Sequence, residues 1–226
     1  MKDVPVAPGG DRALPPRLLV ASTNPHKVEE FRALLADVPF ELVGLGDVER
    51  EVCRVGSTIP EVEETGTTFA ENATLKALAY AHATGMLTLA DDSGLEIDAL
   101  GGEPGIYSAR WAGPDVSYPE RFRIILARMA GAPRGERSAR YRCAIALAGP
   151  GEAGLRGIVE GTLEGEIAPG PRGSGGFGYD PIFYVPELGR TVGELSAAEK
   201  HQISHRARAA AAARDLLVQL AEQRDV

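Results

Sequence analysis

Lysine is nearly missing from this 226-residue chain. Of its 24 basic residues only Lys2, Lys27, Lys76 and Lys200 are lysines. A lysine kept in so arginine-rich a background supplies a compact point charge that a planar guanidinium does not; codon bias is the plain alternative. Cysteine is scarce too. Cys53 and Cys143 stand far apart, without metal-ligand spacing, and are expected to be reduced and structural. No apolar run is long enough to cross a membrane, and the N-terminal "MKDVPVAPGGDRALPPR" lacks the apolar segment of a signal peptide. A cytoplasmic location is therefore expected. Net positive charge is absent: the formal charge is −8. That argues against a protein that coats nucleic acid, which would carry a basic stripe, yet a local cluster of cations can still hold phosphate. No G-x-x-x-x-G-K-[ST] occurs, so there is no Walker loop.

What is present suits one large domain or two small lobes. Residues 1–16, rich in Pro and Gly, read as a mobile tail, and 17–226 as the folded unit. "RLLVAS" (17–22) reads as a buried strand. It leads into a helix with Asn24 as N-cap and Pro25 in its first turn. "FELVGL" (40–45) is a second strand, and residues 46–66 carry no clear pattern. Thr68 and Glu71 form a capping box for a helix that Gly85 stops. Strands are expected at 87–90 and 95–100, with "DDSG" as the turn between them. An amphipathic helix over "YPERFRIILARMAG" and two longer antiparallel strands, "SARYRCAIALAG" and "LRGIVEGTLEGEIA", come next. Ser196 with Glu199, then Ser204, cap the last helical region. The order predicts a mixed α/β sheet with helices outside, split by a cleft.

Five segments carry candidate chemistry. In "STNPHK" a strand delivers a helix N-terminus, where free N–H groups and the positive dipole end gather. Ser22, Thr23 and Asn24 add donors, and Lys27 lies in the first turn. Taken alone, this segment is better explained as an ordinary capped helix. In "EETGTTFAENATLKA", Glu64 is a candidate metal carboxylate, and Asn72 and Lys76 share a helix face; a solvated face is the bland alternative. In "ADDSG", side-chain alternation sends only one of Asp91 and Asp92 toward a given site. Mg²⁺ takes one or two carboxylates beside substrate phosphates, so Asp92 with Glu64 would suffice. In "GGFGYD" and "EKHQISHR", Phe177 and Tyr179 suit stacking on a base, and Asp180, His205 and Arg206 suit its edge. Core packing and helix surface are the competing readings.

Taken together, "VASTNPHKVEE", "EETGTTFAENATLKA", "LADDSGLEIDALGGEPGIYSARWAG", "GGFGYDPIF" and "ELSAAEKHQISHRARA" closely resemble the inosine triphosphate pyrophosphatases, the RdgB-like family. The resemblance runs in order from about residue 17 to the C-terminus. Thr23 stands where the family often has glycine. The resemblance implies an elongated two-lobed α/β fold, a homodimer and a purine nucleotide in the cleft. It implies that Asp92 is the catalytic carboxylate and, with Glu64, the Mg²⁺ ligand. Substrate contacts are implied for Ser22, Thr23, Asn24, Pro25, His26, Lys27, Lys76, Ser93, Phe177, Gly178, Tyr179, Asp180, Lys200, His205 and Arg206. The implied reaction converts ITP, dITP or XTP to the monophosphate and pyrophosphate. Two other readings stand beside it. A Maf-like pyrophosphatase is disfavoured because "STNPHK" lacks that family's arginine pair. A non-catalytic nucleotide-binding module would leave Glu64 and Asp92 without a task.

Overall fold

A computed structural model describes residues 15–53, 59 and 61–223; most of the expected tail lies outside them. One seven-stranded mixed sheet, in the order β2-β1-β3-β4-β5-β6-β7, forms the centre. It comprises β1 (Arg17–Val20), β2 (Glu41–Gly44), β3 (Leu87–Ile97), β4 (Ser138–Ala148), β5 (Leu155–Ile167), β6 (Phe183–Val185) and β7 (Arg190–Thr191). The helices are α1 (Pro25–Leu34), α2 (Leu45–Cys53), α3 (Phe69–Thr84), α4 (Tyr118–Arg128), α5 (Ala197–Ile203) and α6 (His205–Glu222). β1 pairs in parallel with β2 on one side and β3 on the other, while every later pairing is antiparallel.

Alternation along the strands sorts the side chains onto two faces. Leu18 and Val20 enter a core with Phe31 of α1 and Ala213 and Leu217 of α6. Leu19 and Ala21 enter a second core, on the opposite face, with Ala73 and Ala77 of α3. β3, β4 and β5 run on past β1 and build a third core from Leu95, Ile97, Tyr141, Leu163, Phe183 and Ile125 of α4. Strands of 11 and 13 residues span roughly 35–43 Å at about 3.3 Å per residue, so the sheet is long enough to carry separate cores at its two ends.

The capping signals act where the sequence puts them. The Asn24 side chain accepts from the His26 N–H, Thr68 and Glu71 close a capping box, and Gly85 ends α3 with φ of 69°. Ser196 and Glu199 form a second capping box, and Ser204 caps α6.

Other expectations are corrected. The strands expected at 87–90 and 95–100 are one strand, β3, and "DDSG" is not a turn. β4 supplies an unbroken ladder partner from Thr88↔Ala148 to Ile97↔Ala139, which overrides the local turn preference of Asp, Ser and Gly. Residues 98–100 form a 3₁₀ turn instead of strand. The glycine of "DDSG" serves close packing: a Cβ on Gly94 would collide with Ser108 Oγ and the Gly105 carbonyl oxygen. α2, β6 and β7 are additions that the sequence pattern does not announce.

Candidate active site

β1 stops at Val20, whereas β3 continues through Asp91, Asp92 and Ser93. The crevice lies just beyond the carboxyl end of β1, where the chain departs to β2 on one side and β3 on the other. In open α/β sheets that switch point is where ligands bind. A cleft of about 620 Å³ opens there, lined by residues of α1, α3, β3, α5 and α6 and of loops that include the one leaving β1.

The two adjacent aspartates point to opposite faces of β3 and meet different company. Asp91 is buried and accepts from Lys27 Nζ at 2.9 Å and from Ser93 Oγ at 3.2 Å, with Arg206 Nη2 at 3.6 Å. Burial pushes its carboxyl up, but Lys27, Arg206 and Lys76 more than offset this and hold it well below the usual carboxylate range. Asp92 faces α3. Asn72 Nδ2 donates to its Oδ2 at 3.1 Å and the Ser93 backbone N–H to its Oδ1 at 3.0 Å. Lys76 Nζ stands 3.8 Å away. Burial, and after it the Glu64 carboxylate, outweigh Lys76 and push the Asp92 carboxyl up. Two neighbouring carboxylates thus have their proton affinities driven apart, the arrangement that separates a fixed charge from a proton acceptor.

Glu64 completes this side. Its Oε1 accepts from Lys76 Nζ at 2.7 Å and its Oε2 from Arg110 Nη1 at 2.7 Å. Lys76 therefore stands between Glu64 and Asp92, marking the place where a cation meets two carboxylates. Among the described residues no cluster holds three or more metal-type side chains. Two carboxylates in an open cleft nevertheless match the donor number Mg²⁺ usually takes from a protein.

On the other side, α5 and α6 bring Lys200, His205 and Arg206 against α1. Glu30 accepts from Lys200 Nζ at 2.8 Å on one oxygen and from Arg206 Nη1 on the other. Asp180, expected at the substrate's edge, is buried and fully engaged: Lys200 Nζ at 2.8 Å, Tyr141 Oη at 3.1 Å and the Phe177 N–H at 2.9 Å all donate to it. His205 stacks on Tyr141 with ring centroids 4.6 Å apart. Burial, then Arg206 and Lys200, hold its imidazole neutral, well below its usual value. His205 Nδ1 and Arg206 Nε are buried without a hydrogen-bond partner.

The aromatic pair divides. Phe177 is partly exposed in the cleft and carries His26 in near-parallel stacking at 5.6 Å. Tyr179 is 3% exposed. Its ring packs edge-on against Tyr118, and its hydroxyl donates to the Ser108 carbonyl at 2.9 Å. The stacking expected of Tyr179 is thus replaced by core packing. Ser22, Thr23, Asn24, Lys27, Ser93 and Gly178 all border the cleft, whereas Pro25 borders a neighbouring groove of about 350 Å³. Two contributors escape a reading of the sequence, Glu30 and Arg110. Asn72, read there only as sharing a helix face with Lys76, has a role that the structure supplies: its amide ties Asp92 to the Gly66 N–H.

Fold and site together define an α/β protein whose switch-point cleft sets Asp91 against Lys27, and Asp92 and Glu64 against Lys76. Residues 18–216 match the Ham1 family. A dITP/XTP pyrophosphatase of Symbiobacterium thermophilum is 50% identical over 92% of this chain and 98% of its own length. One from Geobacter sulfurreducens is 46% identical over 89% and 96%. Among solved structures, a HAM1 protein of Coxiella burnetii is 41% identical and superposes with a TM-score of 0.79 over 90% of this chain and 99% of its own. The Staphylococcus aureus Ham1 protein is 40% identical, with a TM-score of 0.75 over 89% and 98%. This chain belongs to the Ham1 family.

Proposed function

We propose that the protein is a nucleoside triphosphate pyrophosphatase that hydrolyses the non-canonical purine nucleotides ITP, dITP and XTP to the monophosphate and pyrophosphate. The observation that carries this reading is the split pair on β3: Asp91 paired with Lys27 at 2.9 Å on one face, and Asp92 on the other face beside Lys76 and Glu64, held by the Asn72 amide. A passive nucleotide-binding module has no use for that separation.

In this reading Asp92 takes the proton of the attacking water, which is directed at the α-phosphorus. Asn72 and the Ser93 N–H hold the carboxylate in place for that transfer. Glu64 and Asp92 would hold Mg²⁺, which when bound neutralises phosphate charge and orients water. Lys27, in the first turn of α1, and Lys76 face the phosphates. A purine takes the place that His26 holds against Phe177. At its edge, Arg206 Nε–H is a buried donor without a partner, and an O6 acceptor satisfies it, whereas the N6 amino group of adenine does not. Asp180 acts through Lys200, which it positions. The reading also carries a homodimer, checked by light scattering, and a cytoplasmic location.

The test is product analysis with ITP. Pyrophosphate without orthophosphate, released in Mg²⁺ and lost in EDTA, is expected. Orthophosphate as first product, or no hydrolysis at all, overturns the reading.

A further inference from the structure

We infer that Arg110 is a substrate-contacting residue whose guanidinium takes the pyrophosphate half of the nucleotide. The inference rests on the reading of the cleft given above and assigns that reading a further group.

Among the described residues, Arg206, Lys200, Lys27, Lys76 and Arg110 bring positive charge to the cleft, and they differ in how firmly they are held. Arg206 and Lys200 have side chains only 2% and 6% exposed, and each bridges two carboxylates. Lys27 is 16% exposed on buried Asp91, and Lys76 is 15% exposed between Glu64 and Asp92. Arg110 is 41% exposed, and its carboxylate partner, Glu64, is shared with Lys76. Breaking a buried ion pair is costly, whereas an exposed pair contributes little. An incoming polyanion therefore recruits Arg110 at the least cost. A guanidinium also offers phosphate a two-pronged contact that a lysine cannot.

The backbone beneath Arg110 is built to present it. Buried Arg121 donates to the Ser108 carbonyl at 3.4 Å and the Gly113 carbonyl at 3.0 Å, bracketing Arg110 from both sides. Tyr179 Oη donates to the same Ser108 carbonyl, and Ser108 Oγ accepts from the Leu95 N–H at 2.9 Å, tying the loop to β3. Within it Ala112 adopts φ of 64°, a left-handed conformation costly for a residue with a Cβ. A buried guanidinium spent on loop carbonyls, and a strained residue two positions along, fix where Arg110 emerges. Glu64 is its resting partner, and an arriving pyrophosphate group replaces it.

Isothermal titration of the two products separates this from a purely structural role. Inorganic pyrophosphate and IMP are titrated, in EDTA and in Mg²⁺, into wild type, Arg110→Gln and Arg110→Lys. Arg110→Gln is expected to weaken pyrophosphate binding about 10- to 100-fold, the effect of losing a charged hydrogen-bond pair, with IMP affinity within about twofold. Arg110→Lys should fall between, since it keeps charge and loses the fork. Unchanged pyrophosphate affinity, or equal losses for both ligands, overturns the assignment of Arg110 while leaving the cleft's function standing. A wild type that binds neither product overturns both.

Discussion

Replacing Asp91 and Asp92 one at a time should separate stability from chemistry. Asp91→Asn removes the anion facing Lys27 at 2.9 Å and Arg206 at 3.6 Å, both with largely buried side chains. Removing one partner of a buried ion pair costs about 3–5 kcal/mol. In a protein of this size each kcal/mol lowers Tm by about 2–4 °C, so a fall of roughly 6–20 °C is expected. Asp92→Asn acts oppositely. The fold pushes the Asp92 carboxyl up, so its charged form is less favourable in the folded state than in the unfolded one. A neutral amide relieves that cost and leaves Tm unchanged or slightly raised, while turnover falls by about 10²–10⁴-fold with the proton acceptor gone. Thermal melts and pyrophosphate release on both variants give the answer. Equal Tm losses, or near-normal turnover in folded Asp92→Asn, refute the division of labour.

The same geometry predicts three further outcomes. Lys27→Arg should lower kcat/KM about tenfold or more despite keeping charge, because a planar fork does not reproduce the compact ammonium that Lys27 sets on Asp91; unchanged kinetics contradict this. Gly94→Ala should lower both Tm and activity, since its Cβ would displace the 105–108 loop that leads to Arg110; a variant that melts and turns over like wild type contradicts it. His205 is held neutral in the fold but gains a proton near pH 6.5 once unfolded. The unfolded state then binds more protons below that pH, so this contribution to stability is full above it and lost as pH falls. The loss amounts to about 1 kcal/mol between about pH 7 and 5.5. Urea melts of wild type and His205→Phe check it: the variant should lose less stability on acidification.

Much of the molecule is legible in its sequence because the signals are local. Asn24, Thr68 with Glu71, Ser196 with Glu199, and Ser204 cap helices through bonds to residues two or three positions on. The three non-tail lysines all reach the cleft. What escapes depends on distant partners. β3 reads as two strands until β4 is laid beside it, and β6 and β7 are too short to show a pattern. Tyr179 looks like a free aromatic in a glycine-rich loop until Tyr118 and Ser108 close around it. Asp180 looks available until Lys200, Tyr141 and Phe177 occupy it. Arg110 sits in a loop whose shape is set by Arg121, in the helix beyond it.

The central claim is tested most directly by kcat/KM for ITP, XTP and ATP on the wild-type enzyme in Mg²⁺. A site built around hydrogen bonds to O6 should favour ITP and XTP over ATP by about 10⁴-fold or more. Equal values for ITP and ATP would contradict it.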